Sequence, residues 1–553
     1  MAKLHGGQLV VKALQREGVK YIFSLSGGHL LRIYDATIDA GIRIIDTRHE
    51  QAAGHMAEGW SLATGEMGVC AVTAGPGLTD AVTAVANAKM SNSPMLVLGG
   101  RSALFENDIG ALQDLDQMAL MTPITKWAAK CHEAKRIPEY ISMAYRHAMS
   151  GRPGPAYLEL PFDVLSQEVE ESDVPFPENY RPKYRAAGQP EAIEEAAGLL
   201  AKAERPLIIC GAGGLWANAG EALTAFAEKT GIPVMTRSYG NGLMPDSNPL
   251  TITGTLMATM GPMSQADVIL LLGSRINFSM MYGRFFPPGV KIIQVDIEPT
   301  ELGINRGPDV GIHGDIRVVL EQLTQAVPAT PDRAWGADTT KMVQEVTEMT
   351  LGAIDMDSVP IHPQRLVCDI REVVGGEGVY VCDGGDIHLF GVETFPAERP
   401  GSLLATGLAF GCLGVGMPFA LAQKLANPDR TVILLSGDGT FGLNGMEFDT
   451  AVRHGIPIVC VIGNDQAWGM IKHGQEAMFG SDRVLGCELG PVRYDLMVQG
   501  LGGHGEFVER PEDIKPAVER AIASGKPACV NVLTDPTIPH PVSVMAADMM
   551  GAY

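Results

Sequence analysis

Two acidic segments in the C-terminal third of the chain each follow a short aliphatic run. Gly437-Asp438-Gly439 comes after residues 431–435, and Asn464-Asp465 comes after residues 457–462. Such runs, bounded by glycine, predict buried parallel strands joined by one helix, around 446–454, in a right-handed crossover. The crossover would bring the two aspartates together at the carboxyl ends of neighbouring strands. Paired carboxylates beside glycines suit a Mg²⁺ ion that holds a diphosphate, because Mg²⁺ takes oxygen ligands and shares them with phosphates.

This pair of segments resembles the signature of the thiamine-diphosphate-dependent enzymes, whereas Gly-Asp-Gly alone would indicate only a tight turn. Asp465 stands where that signature has Asn, and an Asp oxygen serves equally as a metal ligand. The resemblance implies that Asp438, Asp465 and the backbone carbonyl of Ala467 bind Mg²⁺. It also implies that the diphosphate lies along both segments and along a loop after a predicted strand at 379–382, at Gly437, Gly439, Thr440, Gly469, Met470, Asp386 and Ile387.

The bulk composition is that of a large globular chain. Its 553 residues are 46% hydrophobic and 19% charged, which predicts about three domains. The net charge of −22 and the pI of about 5.0 argue against a nucleic-acid partner or an anionic membrane surface. Nine scattered cysteines without a Cys-x-x-Cys pair predict reduced thiols and a cytoplasmic location. No apolar run approaches the ~18 residues of a membrane span, and the N-terminus lacks a secretory signal pattern.

Helix and strand patterns alternate along most of the chain, which predicts an α/β protein of three doubly wound parallel-sheet domains. With the resemblance, these are an N-terminal aminopyrimidine-binding domain (1–172), a central domain (191–330), a C-terminal diphosphate- and Mg²⁺-binding domain (363–535) and a tail (536–553). The second of two polar, proline-bearing connections contains a predicted helix near 340–354. Further strands are predicted at 21–25, 42–46, 68–73, 95–99, 206–211, 234–236, 268–273 and 291–296.

Glu50 follows a predicted strand and leads into a helix of small residues, 52–63. A glutamate at a helix N-terminus is favoured by the helix dipole, which alone would explain it. Beside the paired aspartates, the resemblance implies that Glu50 is catalytic and hydrogen-bonds N1′ of the cofactor's pyrimidine. Such a glutamate must be partly desolvated, because burial raises a carboxyl pKa and lets it hold a proton. The turn containing Thr73 and Pro76 also falls past a strand end, where such sheets bind ligands.

The resemblance assigns three further segments to the site. His29 and Gln113 would face the reacting carbon, His29 as a proton shuttle and Gln113 as an amide donor to the substrate oxygen. Both could instead be ordinary polar loop residues, and that alternative stays open. In the segment Ala409–Gly414, the carbonyl of Gly411 would accept from the cofactor's 4′-amino group and Leu413 would wedge between its two rings. The alternative there is a glycine-rich turn before a helix at 418–424.

Within the family, the motifs point to carbon–carbon lyases. Residues 27–29, 45–50 and Glu447-Phe448-Asp449-Thr450 resemble benzaldehyde lyase, whereas residues 110–117 look equally like the 2-hydroxyacyl-CoA lyases. The predicted function is therefore a thiamine-diphosphate- and Mg²⁺-dependent lyase or carboligase acting on 2-hydroxy ketones or 2-hydroxyacyl-CoA thioesters. The alternative is an acetolactate-synthase-type transferase, or a decarboxylase of 2-keto acids or oxalyl-CoA.

Whether CoA is part of the substrate stays open. No Lys or Arg follows Lys526, although the tails of the resembling CoA enzymes offer basic residues to the CoA phosphates. Lys472 and His473 could take their place.

The central domain offers only weak nucleotide signals. Residues 294–299 end a predicted strand in acidic side chains that suit ribose hydroxyls, and Gly211–Gly214 is glycine-rich. ADP, FAD and no ligand at all therefore stay open. The resemblance also places the active site between subunits, with Glu50 from one and Asp438 from its partner, which implies at least a homodimer and commonly a homotetramer. A non-catalytic relative would be expected to have lost Glu50, Asp438 or Asp465, and all three are present.

Overall fold

The computed structural model describes residues 3–406 and 410–545. Contacts divide the chain into two compact units. The first comprises residues 1–183, 409–428 and 443–457, and the second comprises residues 184–408, 429–442 and 458–553. Three parallel sheets flanked by helices are present, as predicted. No helix in the described part of the chain is both long and apolar enough to cross a membrane.

The N-terminal part of the first unit contains a six-stranded parallel sheet and a short antiparallel pair. Its elements are β1 Lys3–His5, α1 Gly6–Arg16, β2 Tyr21–Ser24, α2 Leu31–Ala40, β3 Arg43–Asp46, α3 Glu50–Thr64, β4 Gly68–Val72, α4 Pro76–Ser91, β5 Met95–Arg101, α5 Gln117–Met121, β6 Trp127–Lys130, α6 Ile137–Met149, β7 Pro155–Pro161, α7 Phe162–Ser166 and β8 Glu168–Glu170. The sheet order is β3-β2-β4-β5-β7-β6, and β1 pairs with β8. The order switches between β2 and β4, a position where doubly wound sheets bind ligands. The predicted strands are present to within two residues, whereas β6 and β7 lie outside the predicted set.

The central part contains a five-stranded parallel sheet, whose strands and flanking helices share a core of mostly aliphatic side chains. Its elements are α8 Pro190–Lys202, β9 Pro206–Cys210, α9 Ala212–Trp216, α10 Gly220–Thr230, β10 Val234–Thr236, α11 Leu256–Gln265, β11 Val268–Leu272, β12 Lys291–Asp296, β13 Val310–His313, α12 Ile316–Ala326 and α13 Ala334–Gly352. The order is β10-β9-β11-β12-β13. The edge strand β13 was not predicted, because it is four residues long and every second residue is exposed. The helix predicted near 340–354 begins earlier, at Ala334.

The C-terminal part contains a six-stranded parallel sheet. Its elements are α14 Pro363–Val374, β14 Val379–Asp383, α15 Asp386–Thr394, β15 Leu403–Ala405, α16 Gly416–Ala426, β16 Val432–Gly437, α17 Asp438–Asn444, α18 Glu447–His454, β17 Val459–Asn464, α19 Gly469–Phe479, α20 Tyr494–Gly500, β18 His504–Val508, α21 Ile514–Ala523 and β19 Ala528–Leu533. The order β15-β14-β16-β17-β19-β18 has the same pattern as the N-terminal sheet. The predicted neighbours β16 and β17 do pair in parallel, with Gly437 opposite Gly463.

Two helices of the C-terminal part belong to the first unit rather than to the second. Helix α16 packs against α3, and α18 packs against β3. The crossover helix predicted around 446–454 is therefore present as α18, but its partners are in the N-terminal sheet region. Helix α17 was not predicted, because Gly-Asp-Gly reads as a turn when taken alone.

Candidate active site

Asp438 and Asp465 lie side by side, as predicted, at the carboxyl ends of β16 and β17. Asp438 is 2% exposed. Its Oδ1 accepts a hydrogen bond from the amide of Gly439 at 3.0 Å, whereas its buried Oδ2 accepts none from donor groups in residues 3–406 and 410–545. Asp465 accepts one from the amide of Ala467 at 3.1 Å. An acceptor oxygen that faces a second carboxylate in a buried position needs a proton or a cation between the two groups.

The electrostatics of this pair fit a divalent cation. Burial, and then the charge of Asp465, raise the pKa of Asp438 to about 8, and burial also raises the pKa of Asp465. Asp465 is half-buried. A buried carboxylate in contact with a second carboxylate is costly to ionise without a positive partner. No group of three or more His, Cys, Asp or Glu side chains that could hold a metal occurs among the described residues. Two carboxylates would leave the other ligand positions to backbone and phosphate oxygens, which is the usual arrangement for Mg²⁺.

We expect the stability of the cofactor-free protein to fall as the pH rises between 3.8, the ordinary pKa of Asp438, and about 8, its value in the folded chain. Within that window the folded state binds more protons than the unfolded state, so this group lowers the free energy of unfolding by at most about 1.4 kcal/mol per pH unit. Urea unfolding across this range, compared with Asp438→Ala, measures the slope. Saturating Mg²⁺ and thiamine diphosphate should flatten it, because the cation replaces the proton; an unchanged slope would contradict this assignment.

Glycines around the carboxylates keep side chains out of the space beside them. A Cβ on Gly469 would lie 2.1 Å from Oδ2 of Asp465, and one on Gly439 would lie 2.6 Å from the ring of Trp468. Gly469 and Met470 form the first turn of α19, where backbone N–H groups lack intrahelical partners and favour an anion. The residues present therefore fit a diphosphate and a Mg²⁺ ion, which Asp438, Asp465 and the first turn of α19 would hold. Gly437 and Thr440 lie at the same strand end.

Asp386 differs from its predicted setting, because it begins helix α15 instead of lying in a loop. Its carboxylate is already committed. It accepts hydrogen bonds from Nδ1 of His473 at 2.7 Å and from the hydroxyl of Ser543 at 2.5 Å. The other ring nitrogen of His473 is 3.0 Å from the carbonyl of Pro536. Only the backbone of Asp386 is thus left for a diphosphate, and Ile387 packs against the glycines near the ends of β16 and β17.

Glu50 lies at the carboxyl edge of the N-terminal sheet as the first residue of α3, 8% exposed. A Cβ on Gly77 would lie 3.3 Å from Oε1 of Glu50 and 2.8 Å from Cγ2 of Thr73. The hydroxyl of Thr73 in turn is 2.9 Å from Nδ1 of His29. Pro76 begins α4 in the same turn. The structure therefore brings four predicted residues of the first unit together.

The pKa values of two titrating groups at this edge shift in the directions that the prediction requires. Burial raises the pKa of Glu50, and the charge of Asp80 adds to the shift, so the carboxyl is suited to hold a proton. Burial lowers the pKa of His29, which keeps its imidazole neutral near pH 7 and able to accept a proton.

The backbone of Gln113 lies in the left-handed region, at φ +61°. Gln113 lies next to the turn at Gly75, since a Cβ added to Gly75 would be 2.9 Å from the Cβ of Gln113. The sequence motifs predicted no role for the neighbouring Gln117. This residue is fully buried; its Oε1 accepts from the amide of Gly75 at 2.9 Å and its Nε2 donates to the carbonyl of Gly100 at 3.0 Å. Gln117 therefore fixes the turn that carries Thr73. Its only sequence signal is its place at the end of the 110–117 motif.

The predicted pyrimidine clasp lies in the first unit, although Ala409 falls outside the described residues. Gly411 has φ +72°, which favours glycine, and Leu413 is half-buried. Between them, Sγ of Cys412 is 3.8 Å from Nε2 of His55, a fully buried residue of α3. The segment is thus held against the helix that begins with Glu50. Helix α16 begins just after it, at Gly416.

The glycines of the central domain are explained by its own packing. A Cβ on Gly211 would lie 2.7 Å from the carbonyl of Gly273, and one on Gly213 would lie 2.7 Å from Cα of Gly273. Asp296 at the end of β12 accepts from the amide of Glu298 at 2.9 Å, which closes a turn. These features do not by themselves indicate a nucleotide, and binding of ADP or FAD stays a prediction.

Comparison with known proteins defines the class. The N-terminal, central and C-terminal domain models of the thiamine pyrophosphate enzymes match residues 4–120, 193–323 and 383–532. The chain therefore belongs to the thiamine pyrophosphate enzyme family. This result confirms the predicted family and supports thiamine diphosphate as the cofactor.

Among particular proteins, the chain is similar both to acetolactate synthases and to 2-hydroxyacyl-CoA lyases. It is 37% identical over 542 residues to the acetolactate synthase large subunit IlvG of Mycobacterium tuberculosis, with 97% of each chain covered. It is 32% identical to human 2-hydroxyacyl-CoA lyase 2, with 96% of this chain and 90% of the relative covered. The 2-hydroxyacyl-CoA lyase of Arabidopsis thaliana is 31% identical, with 96% of each covered. These identities do not favour the predicted lyase type over acetolactate synthase.

Proposed function

We propose that this chain is a thiamine-diphosphate- and Mg²⁺-dependent carboligase or lyase that forms or breaks a carbon–carbon bond next to a carbonyl. The observation that carries the proposal is the contact between the buried Asp438 and the half-buried Asp465, where Oδ2 of Asp438 accepts no hydrogen bond from a donor group of the described residues. The cofactor, when bound, supplies the electron sink. The protein supplies position, proton transfer and exclusion of water.

The chain's own residues divide these tasks. Asp438, Asp465 and the carbonyl of Ala467 would hold Mg²⁺, and the amides of the first turn of α19 would hold the diphosphate. Glu50 would keep a proton at the pyrimidine N1′, which its burial permits. His29, neutral at pH 7, would move the proton of the substrate hydroxyl.

The substrate we propose is a 2-hydroxy ketone or a 2-keto acid rather than a CoA thioester. The two side chains that could have replaced a basic tail are already engaged. Lys472 pairs with Glu488 at 3.0 Å, and both ring nitrogens of His473 have partners. A CoA phosphate would have to break these contacts before it could be bound. The 37% identity to IlvG favours a second candidate, an acetolactate-synthase-type condensation of 2-keto acids.

We expect incubation with pyruvate or benzoin to leave a covalent adduct on the cofactor, and a 2-hydroxyacyl-CoA to leave none. Acid quenching followed by mass spectrometry of the extracted cofactor identifies the adduct, with Glu50→Gln as the inactive control. An adduct from pyruvate, together with visible flavin absorbance of the pure protein, would favour the acetolactate-synthase type. An adduct from the CoA thioester alone would contradict the proposed substrate class.

We also propose that the working enzyme is a homodimer at least, with a homotetramer as the expected assembly, and that its active site is shared between subunits. We propose a cytoplasmic location. Support for the location comes from the nine cysteines, none of which forms a disulfide in the described part of the chain.

A further inference from the structure

Glu447 is a buried carboxylate that the assigned chemistry does not use. It begins α18 and is 1% exposed. Both of its oxygens accept from the backbone amide of Arg48, at 3.0 and 3.1 Å, and Oε2 also accepts from the hydroxyl of Thr450 at 2.6 Å. The amide of His49 provides a further hydrogen bond. No Lys or Arg forms an ion pair with Glu447 in the described part of the chain. Its carboxyl group is therefore held by backbone amides and one hydroxyl.

The rest of α18 is docked along β3 by further polar contacts. Arg453 donates to the side chain of Asp46 at 2.6 Å and to its carbonyl at 2.9 Å. His454 lies 2.8 Å from the same carboxylate, and Arg43 donates to the carbonyl of His454 at 2.8 Å. Asp46 ends β3, the strand that leads to Glu50. The helix is thus fixed against the segment that sets the start of α3.

We infer that Glu447 is a positioning residue for Glu50: by holding the amides of residues 48 and 49, it fixes the peptide from which the Glu50 carboxyl projects. The inference rests on the proposed role of Glu50. Glu447 does not act on Glu50 through its charge, because the raised pKa of Glu50 comes from burial and from Asp80 and not from Glu447. The effect must therefore pass through the backbone.

The place of α18 in the chain extends this inference. The helix lies between β16, which ends beside Asp438, and β17, which ends beside Asp465. The connection that joins the two predicted metal-binding strands therefore also holds the turn before Glu50.

We expect Glu447→Gln to slow exchange of the cofactor's C2 proton by about 10- to 100-fold at saturating thiamine diphosphate and Mg²⁺, since a misplacement of ~1 Å can cost ~10²-fold. Gln keeps the shape but replaces one acceptor by an NH₂ donor that faces the Arg48 amide. The exchange rate is read by NMR of cofactor extracted after quenching in D₂O. Asp449→Asn is the matched control on the same helix. It loses ion pairs with Arg48 and Arg453 but leaves the amide contacts, and it should exchange at the wild-type rate.

Two further variants separate the possible outcomes. If Glu50→Gln exchanges normally, the proposed function fails. A second outcome is that Glu50→Gln exchanges slowly but Glu447→Gln, folded and saturated with cofactor, exchanges at the wild-type rate. That result would overturn the positioning inference alone, and Glu447 would be purely structural. Thr450→Val removes the hydroxyl contact but keeps the carboxylate of Glu447. We therefore expect C2-proton exchange to slow only several-fold, because only one of the contacts of Glu447 is lost. This variant decides the question if Glu447→Gln does not fold, since a wild-type rate would then overturn the inference.

Discussion

Glu50→Gln is expected to slow exchange of the C2 proton of bound thiamine diphosphate by about 10²- to 10⁴-fold, the range typical of a positioned acid or base. Gln is nearly isosteric with Glu but cannot hold or release the proton that the raised pKa of Glu50 retains. The affinity for the cofactor should change little, because the diphosphate and metal contacts lie elsewhere in the sequence. Isothermal titration with Mg²⁺ present measures binding, and NMR of the quenched cofactor measures exchange.

Glu58→Gln provides a matched control in the same helix. Glu58 is fully buried in α3 and accepts from the side-chain amide of Asn87 at 2.8 Å. Its loss should lower the melting temperature while leaving the exchange rate close to that of the wild type. If Glu50→Gln binds the cofactor and exchanges C2 deuterium as fast as the wild type, the role given to Glu50 is wrong.

Local sequence patterns predicted those parts of the fold and site whose determinants are close together in the chain. The strands β16 and β17 are aliphatic runs, and their neighbouring position follows from a short right-handed crossover, so the meeting of Asp438 and Asp465 could be deduced. The placement of Glu50 at a strand end followed from the same kind of pattern.

Long-range pairing could not be deduced in this way. Asp386 is committed to Ser543, which is 157 residues away, and Glu447 holds the amide of Arg48 from 399 residues away. Such contacts depend on tertiary packing and leave no periodic or spacing signal. The assignment of α18 to the first unit has the same origin. An amphipathic helix pattern shows that one face is buried but not which sheet covers it.

Asp438→Ala is expected to weaken Mg²⁺-dependent binding of thiamine diphosphate by at least about 100-fold, because even groups that only orient a metal ligand commonly cost 10- to 100-fold. The variant removes the buried carboxylate of the pair and leaves Asp465 without its partner. Titration of thiamine diphosphate at saturating and at zero Mg²⁺ measures the metal-dependent part. Asp465→Asn is the matched control, since it removes a charge but keeps an oxygen ligand, and it should retain most of the binding. Wild-type affinity in Asp438→Ala would show that the paired carboxylates do not hold the metal.

Asp438→Ala combined with Glu50→Gln tests whether the active site is shared between subunits. Neither Glu50→Gln nor Asp438→Ala should be active alone, but a mixed dimer would contain one site with an intact Glu50 from one chain and an intact Asp438 from the other. Random pairing of the two variants should therefore restore roughly a quarter of wild-type activity, since about half of the dimers are mixed and each has one good site of two. Co-expression with different affinity tags and purification of the mixed species raises the expected value to about half, because every dimer then has one good site. Activity that stays at the level of the single variants would place both residues in one chain's site, because a mixed dimer then has no intact pair.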